Sequence, residues 1–279
     1  VVAAAVVVAG PVPGRAGAEV TPGDGTATHY DSVDGGNCSF PAAPADHLDV
    51  ALSEIEYGTA DACGAYLDVT GPRGTVRVVV TNRCPECQPG HLDLSRQAFA
   101  RIGDPAAGQI DVTYSLVRDP PLAETIGIRV KDGSSRWWLQ LQALDHGNPL
   151  ASVELATAGG WRSLVHTQDN FWMAENPGPG DGPLTVRITD IHGQSATIDG
   201  IAIAPGEVQR SDARLYGPGE GADAGRDGGP APRAGRAGGA AGGIPPLPPT
   251  APAAASPPSS RSVRRGEIEP THPGRSADP

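Results

Sequence analysis

The residues best suited to chemistry lie in one segment, Val76–Ser95, with the sequence VRVVVTNRCPECQPGHLDLS. Asp93 lies there between two leucines. A carboxyl group in an apolar setting is a candidate acid with a raised pKa. Spacing alone supports a second role equally well, in which Asp93 caps a helix that starts at Leu94 and Ser95. The sequence marks Asp93 as a candidate acid and leaves its structural role open.

A predicted strand and a turn-rich loop position this acid. Val76, Val78 and Val80 alternate along the chain, and β-branched side chains fit a pleated sheet. Gly71-Pro72-Arg73-Gly74 predicts the turn to a partner strand at 65–69. The prolines and glycine of CPECQPG then force a tight loop. We expect a hairpin whose second strand leads into the loop before Asp93.

The flanking elements complete a first domain. We expect an opening strand at 25–30, a helix at 94–102 and a closing strand at 110–117. Residues 45–57 mix aliphatic and acidic residues, which is typical of a short helix that covers one end of a barrel. Asp119-Pro120-Pro121 is a short, stiff connection and marks the domain boundary.

Beyond that boundary a period of two dominates. Alternating segments at 126–130, 137–144, 151–155 and 184–191 are separated by turns, which predicts a small antiparallel β-sandwich. From Gly206 onward the chain is mostly Gly, Pro, Ala and Arg, and it should be disordered because it cannot bury enough apolar surface. The predicted parts are a signal remnant with linker (1–21), a barrel (22–118), a sandwich (119–205) and a disordered tail (206–279).

Composition and cysteine usage favour an exported protein. The apolar run at 1–18 is typical of the remainder of a secretion signal. Four cysteines in an oxidising compartment indicate disulfides, with three possible connectivities. Cys84 and Cys87 form a CxxC pair that also suits redox or zinc chemistry, although zinc needs two further ligands. A net charge of −11 argues against nucleic acid and anionic membranes as partners. We expect no metal and no cofactor.

Two stretches resemble the expansin family. VTNRCPECQPGHLDLS resembles the loop that expansins share with related endoglucanases and lytic transglycosylases, and GTATHY looks like the opening strand of the same barrel. IRVKDGSSRWWLQLQ and PLTVRITDIHG resemble the second domain of bacterial expansins. The resemblance covers residues 22–204. It implies a mainly β fold, with a six-stranded double-psi β-barrel followed by an immunoglobulin-like β-sandwich.

The resemblance assigns roles in the barrel. Asp93 falls on the essential aspartate of the family, and Thr28 falls on a position that lines the polysaccharide groove, with Tyr30 as its neighbour. Asn82 takes the place of a second family aspartate. We also favour the disulfide pairs Cys38–Cys63 and Cys84–Cys87, and the first pair matches cysteines of related plant proteins.

Two adjacent tryptophans are the main candidates in the sandwich. Neighbouring residues of a regular strand point to opposite faces, which predicts one ring in the core and one outside. The residues alone nevertheless favour core positions for both Trp137 and Trp138. The resemblance implies instead that both rings lie on a cellulose-binding face, which Gly133-Ser134-Ser135 permits by distorting the start of the strand. Lys131 matches a family lysine near that face.

A third ring is harder to place. Relatives have a tyrosine in the later loop where this chain has Asp169. We expect Phe171 or Trp172 to supply the missing ring, with a core position in a strand as the alternative. Trp161 follows two glycines, and we expect it to be structural.

These assignments predict a secreted, monomeric protein that binds cellulose or a related cell-wall glucan and loosens it without hydrolysis. Glycoside hydrolysis ordinarily needs two carboxylates, and Asn82 cannot take up a proton. One alternative is a weak endoglucanase or lytic transglycosylase with Asp93 as the general acid. The other is an adhesin that binds carbohydrate and has an inert barrel.

Overall fold

The computed structural model of the protein describes residues 20–32 and 34–217. These residues belong to one compact unit. The predicted signal remnant at 1–18 and the part of the predicted tail beyond residue 217 lie outside the described residues. None of the helices in the described part of the chain is long and apolar enough to cross a membrane.

The first half of the described chain forms a closed barrel of six strands. They are β1 (Gly23–Tyr30), β2 (Asp49–Ser53), β3 (Tyr66–Gly71), β4 (Gly74–Cys84), β5 (His91–Ser95) and β6 (Ile110–Val117). Their order around the barrel is β1-β5-β2-β4-β3-β6. The β1–β5 and β2–β4 pairings are parallel, and the other four are antiparallel. The predicted mainly β fold with a six-stranded barrel is confirmed.

Alternating side chains fill the barrel. Val76, Val78 and Val80 of β4 are at most 3% exposed, and Leu92 and Leu94 of β5 are fully buried. Each such aliphatic side chain stabilises the fold by about 1.5–3 kcal/mol when it is fully buried. Because strand side chains alternate between the two faces, the residues between these positions lie on the outside of the barrel.

Two short helices and a 3₁₀ turn cover the barrel. They are α1 (Glu54–Tyr57), α2 (Arg96–Ile102) and Pro105–Ala107. Phe99 and Ile102 of α2 pack into the barrel core. The helix predicted at 94–102 is therefore present, with a start two residues later than expected.

The helix predicted at 45–57 is wrong. The chain there forms β2, whose five residues are all buried, and only the single turn α1 follows it. β2 lies between β4 and β5 and is covered on both faces. A strand covered on both faces has no alternation of polar and apolar residues, so its pattern resembles that of a helix.

The second half of the described chain forms two sheets. The strands are β7 (Gly127–Val130), β8 (Leu139–Leu144), β9 (Leu150–Thr157), β10 (Gly160–Ser163), β11 (Val165–His166), β12 (Trp172–Ala174), β13 (Leu184–Asp190), β14 (Ser195–Ile201) and β15 (Val208–Arg210). The sheet orders are β10-β9-β13-β14 and β11-β12-β8-β7-β15. Both sheets contribute to one hydrophobic core and so form a β-sandwich. Its immunoglobulin-like classification stays a prediction.

The sandwich extends past its predicted end at residue 205. β15 pairs with β7, and Leu215 packs into the sandwich core. The hydroxyl of Tyr216 donates a hydrogen bond to the carbonyl of Pro120 at 2.7 Å. The disorder predicted from residue 206 is therefore wrong for residues 206–217. The stretch has few apolar residues, and they leave no periodic pattern.

Buried polar contacts join the barrel to the sandwich. The side chains of Gln142 and Asn170 donate hydrogen bonds to the carbonyl of Cys38 at 2.8 and 3.1 Å. Arg129 donates one to the carbonyl of Ser39 at 2.8 Å. At the linker, the side-chain oxygen of Asn148 accepts a hydrogen bond from the backbone amide of Asp119, and its side-chain nitrogen donates one to the buried Asp119 carboxylate. The predicted boundary at Asp119 thus connects two parts that hold each other in place.

Both predicted disulfides are present. Cys38 pairs with Cys63 across a sequence separation of 25, and Cys84 pairs with Cys87 across a separation of 3. The first bond fastens the segment that contacts the sandwich to the barrel core. The second closes the loop that leads to β5.

We expect the two disulfides to differ in their effect on stability. A cross-link stabilises mainly by restricting the unfolded chain, so loss of Cys38–Cys63 through a double serine substitution should lower the free energy of unfolding by about 3 kcal/mol, and loss of Cys84–Cys87 by about half as much. Urea unfolding of the two double variants measures this difference. Equal losses would contradict the loop-length argument.

Candidate functional site

The register of three strands brings the predicted groove residues together. Thr28 of β1 and Ala51 of β2 lie opposite Asp93 of β5 on its two sides. Their neighbours Ala27 and Leu92 point into the barrel core. Thr28, Ala51 and Asp93 therefore share the outer face of the barrel, where the Asp93 side chain is partly exposed.

Asp93 is part of a strand and does not cap a helix. β5 continues to Ser95, and the Ser95 hydroxyl caps α2 by accepting a hydrogen bond from the amide of Ala98 at 3.3 Å. The serine that follows the acid by two residues fills the capping role. The capping alternative for Asp93 is therefore wrong, and its carboxylate is available on the outer face.

A short hydrogen-bond chain orients this carboxylate. The Thr28 hydroxyl donates to Oδ1 of Asp93 at 2.6 Å. Nε2 of His91 lies 3.0 Å from the same hydroxyl oxygen. Because Thr28 donates its proton to Asp93, the ring nitrogen of His91 is the donor in the second contact. Sequence reasoning missed His91, although its spacing of two from Asp93 in strand β5 places it on the same face.

Asn82 reaches the same region through an irregularity in β4. Val50 of β2 pairs with Val80 and Ala51 pairs with Asn82, so Thr81 is the extra residue of a bulge. Oδ1 of Asn82 accepts hydrogen bonds from the amides of Asn37 and Arg83 at 2.8 and 3.0 Å. Asn82 thus anchors the neighbouring loop with its side-chain oxygen, and an amide has no proton-accepting role at neutral pH.

A second carboxylate lies next to the groove, and sequence reasoning missed it. Asp49 of β2 is 2% exposed. Its Oδ2 accepts hydrogen bonds from the hydroxyls of Tyr30 and Thr81 at 2.9 and 3.2 Å, while its buried Oδ1 has no hydrogen-bond partner among the described residues. Asp49 precedes Ala51 by two residues, which puts its Cα roughly 7–8 Å from that of Asp93. The wrong helix prediction had hidden this position.

Tyr30 separates Asp49 from the open groove. Burial, and then the charge of Asp49, raise the pKa of Tyr30 well above its ordinary value. Tyr30 therefore keeps its proton and acts as a donor to Asp49. Its ring also packs against a cluster of Ala51, Cys84 and Cys87, so the short disulfide forms an apolar floor beside the carboxylates.

The two adjacent tryptophans of the sandwich are both exposed. Trp137 is 72% and Trp138 is 37% exposed. β8 begins only at Leu139, because Ser135 and Trp138 close a tight turn through paired backbone hydrogen bonds. The distortion predicted from Gly133-Ser134-Ser135 is thus present. Neither ring belongs to the core, in contrast to the arrangement that a regular strand would impose.

Arg136 positions one of these rings. Its guanidinium lies 4.8 Å from the centroid of the Trp137 ring, which is a cation–π contact. It also pairs with Asp181 at 2.7 Å. The cation–π contact restricts the rotation of the most exposed aromatic side chain in the described chain, while the solvent-exposed ion pair adds little.

The prediction of a third ring at Phe171 or Trp172 is wrong. They are 2% and 5% exposed, and Trp172 belongs to the sandwich core. Trp172 stacks on His166 with a centroid distance of 4.0 Å. Phe171 lies beneath the ammonium group of Lys131 at 4.7 Å. Both rings pack against other residues of the protein, and neither ring has a face exposed to a ligand.

An ion pair lies at the surface above Phe171. Nζ of Lys131 contacts Oδ2 of Asp169 at 2.5 Å, and the Thr167 hydroxyl donates to Oδ1 of Asp169 at 2.6 Å. Burial acts to raise the pKa of Asp169, but the hydrogen bonds from Lys131 and Thr167 outweigh it and hold the pKa below its ordinary value. Asp169 thus neutralises the lysine that sequence reasoning placed near the binding face.

These features together give the class of the protein: a closed six-stranded barrel with an oriented carboxylate on its outer face, joined to a β-sandwich with two adjacent exposed tryptophans. Comparison with known proteins identifies that class. A family model described as lytic transglycolase matches residues 49–114. Expansin-YoaJ of Bacillus subtilis is 35% identical over 176 residues, and the match covers 61% of this chain and 75% of that protein.

Solved structures agree with this assignment. An aspartate-to-asparagine mutant of Clavibacter michiganensis expansin, in complex with cellohexaose, is 46% identical with a TM-score of 0.67. The apo form of the Clavibacter michiganensis expansin is 47% identical with a TM-score of 0.68. Each match covers 71% of this chain and 99% of the other. The chain belongs to the expansin family, and its barrel is of the double-psi type.

Replacement of Tyr30 by phenylalanine should destabilise the protein by about 1–3 kcal/mol, because a buried carboxylate then loses a hydrogen-bond donor. Urea unfolding measures the change in the free energy of unfolding. Combining Tyr30→Phe with Asp49→Asn forms a double-mutant cycle, and the cost of Tyr30→Phe should fall when the buried charge is absent. A cost that does not depend on Asp49 would contradict the proposed pair.

Replacement of Asp169 by asparagine should destabilise the protein by less than about 1 kcal/mol at pH 7, since the ion pair with Lys131 is partly exposed. The folded state lowers the pKa of this carboxyl group, so its contribution is present above the unfolded pKa of about 3.9 and is lost as pH falls. The stability difference between wild type and variant should therefore shrink below about pH 4. Urea unfolding at pH 7 and pH 3 checks this, and an unchanged difference would contradict it.

Proposed function

We propose that this protein is a secreted expansin-like protein that binds cellulose or a related cell-wall glucan and loosens it without hydrolysis. The observation that carries the proposal is the exposure of both Trp137 and Trp138 on the sandwich of a chain whose barrel also carries the oriented Asp93. The crystallised complex of the Clavibacter michiganensis expansin with cellohexaose supports a glucan as the ligand.

In this proposal the tryptophans anchor the protein to the polymer. The C–H faces of a glucose ring stack on an indole while the hydroxyl groups stay in contact with water. Arg136 holds Trp137 in place, so less side-chain freedom is lost on binding. The ion pair of Lys131 and Asp169 supplies polar groups at the position where relatives carry a third ring.

The barrel groove grips a single glucan chain. The carboxylate of Asp93 accepts hydrogen bonds from sugar hydroxyls, with its orientation set by Thr28 and His91. The buried disulfide Cys84–Cys87 packs against Tyr30 and Ala51 and supports this part of the groove from inside. A glucan chain bound in the groove is separated from the adjacent glucan chains. This weakens the contacts between chains without breaking a covalent bond.

The arrangement of carboxylates supports loosening without hydrolysis. Inverting and retaining glycosidases place two accessible carboxyl groups on either side of the bond that breaks. Asp93 is open, but Asn82 has no basic oxygen for this purpose, and Asp49 is closed to solvent behind Tyr30. The groove therefore has an acid without an accessible second carboxylate at the family position.

A lytic activity is the second candidate. The family model described as lytic transglycolase matches the barrel, and Asp49 lies on the strand next to Asp93. If Tyr30 moves away, Asp49 becomes the second carboxylate, and Asp93 acts as general acid in a weak endoglucanase or lytic transglycosylase. An adhesin with an inert barrel would need neither group.

Secretion is part of the proposal. The two disulfides form in oxidising compartments, and the apolar run at the start of the sequence suits a secretion signal. A cell-wall polymer is reached only outside the cell.

The test is a pull-down on microcrystalline cellulose with an assay of reducing sugars in the same supernatant. We expect wild type to bind, Trp137→Ala/Trp138→Ala to bind at least tenfold more weakly from the loss of two stacking contacts, and neither to release sugar. The buried pair Phe171 and Trp172 is no suitable control, so Ile55→Ala, an exposed apolar substitution on the barrel, serves as the matched one.

Two outcomes would change the assignment. Sugar release that disappears in both Asp93→Asn and Asp49→Asn would establish the lytic alternative. Cellulose binding by wild type without any extension of isolated cell walls would show that the barrel is inert, which is the adhesin alternative.

A further inference from the structure

A third exposed tryptophan lies on the sheet that does not carry Trp137 and Trp138. Trp161 is on β10, at the edge of the four-stranded sheet, and is 40% exposed. The sequence predicted a structural role for it, and its exposure excludes a place in the sandwich core. The described hydrophobic core of the sandwich does not include it.

The indole of Trp161 is held in place from one side. The guanidinium of Arg187 on β13 lies 4.2 Å from the ring centroid. Arg187 is itself fixed by a 2.7 Å ion pair with Glu154 on β9, the strand between β10 and β13. Trp161 lies opposite Ala156, whose small side chain allows the indole to reach across β9 toward Arg187. One ring face is therefore occupied, and the remaining part of the indole faces solvent.

Hydroxyl groups lie on the outer face of the same sheet, on β13 and β14, which are separated from Trp161 by β9. Thr185 and Thr189 of β13 face Asp199 and Ser195 of β14, with hydrogen bonds of 2.7 and 2.8 Å. The residues that alternate with them, such as Val186, are buried in the core. Alternation along β13 thus leaves an outer face that carries one aromatic ring and the hydroxyl groups of Thr185, Thr189 and Ser195.

The charges of this face favour an uncharged ligand. Glu154 and Arg187 neutralise each other, Asp199 adds a negative charge, and the sequence as a whole carries a net charge of −11, which together disfavour an anionic partner. An aromatic ring for C–H stacking beside hydroxyl, guanidinium and carboxylate groups is the set of contacts that a neutral sugar ring satisfies.

We propose that Trp161, with Arg187 and Glu154, forms a second polysaccharide-binding face on the four-stranded sheet, which takes an uncharged polysaccharide chain. The face is separate from the pair Trp137 and Trp138, which precedes β8 of the five-stranded sheet. One protein then contacts two polysaccharide chains at once, a consequence that rests on the proposed function of the first face. Binding through two faces raises the overall affinity for a dense polymer and links separate particles.

The first experiment isolates the new face from the proposed one. In the Trp137→Ala/Trp138→Ala background, residual binding to microcrystalline cellulose should weaken by about fivefold to tenfold when Trp161→Ala is added. Trp161→Phe in the same background should keep most of the binding, because a ring remains. The midpoint of thermal unfolding of each variant identifies any loss that comes from unfolding.

The second experiment measures the linking of particles. Wild type should aggregate dilute cellulose nanocrystals, as read by light scattering, whereas Trp161→Ala alone should bind them without aggregating them. If Trp137 and Trp138 do not bind glucan, the Trp137→Ala/Trp138→Ala variant will bind cellulose as wild type does. The loss of binding caused by adding Trp161→Ala can still be measured in that case.

Three outcomes would overturn the inference. One is residual binding and aggregation that Trp161→Ala leaves unchanged while the variant stays folded. Another is that the Trp137→Ala/Trp138→Ala variant binds an anionic polysaccharide resin as strongly as it binds cellulose, since the face would then not select an uncharged chain. The last is self-association of wild type that Trp161→Ala abolishes in sedimentation velocity, which would assign the face to a second copy of this chain.

Discussion

The placement of β5 between β1 and β2 is the constraint on which the groove depends. β5 runs parallel to β1 and antiparallel to β2, and its register sends Leu92 and Leu94 into the core while Asp93 faces out. A slip of one residue would bury the carboxylate and expose two leucines, so core packing itself fixes the position of the acid. Because Thr28 lies opposite Asp93 on the neighbouring strand β1, its hydroxyl reaches the carboxylate directly.

The parts of the fold that sequence reasoning predicted are those with a simple periodicity. The valines of β4 alternate, and the acid follows from its place between two leucines. β2 was not predicted because it is covered on both faces. Asp49 was missed with it, since its burial depends on hydroxyl donors from Tyr30 and Thr81, which are remote from it in sequence. Phe171 and Trp172 were misplaced because nothing in a short strand distinguishes a buried ring from an exposed one. The exposure of Trp161 likewise depends on Arg187 and Ala156, which only the sheet brings near.

Exposure divides the chemically capable groups into two sets. Asp93 and the tryptophans at 137, 138 and 161 face solvent, while Asp49, Phe171 and Trp172 serve the interior. The exposed set suits reversible contact with a polymer, because aromatic stacking and hydrogen bonds to one carboxylate form and break without covalent change. Arginine accompanies two of the exposed indoles, and in each case the guanidinium also forms an ion pair with a carboxylate. The same device therefore appears on both sheets of the sandwich.

The junction between barrel and sandwich has a feature that bears on how such proteins diverge. Gln142, Asn170 and Arg129 of the sandwich donate to the backbone carbonyls of Cys38 and Ser39 rather than to barrel side chains. Every residue has a backbone carbonyl, so these contacts do not depend on which side chains the barrel has at these positions. They depend only on the path of the barrel backbone, which the disulfide to Cys63 maintains. The residues of the groove can therefore change while the two domains keep their attachment.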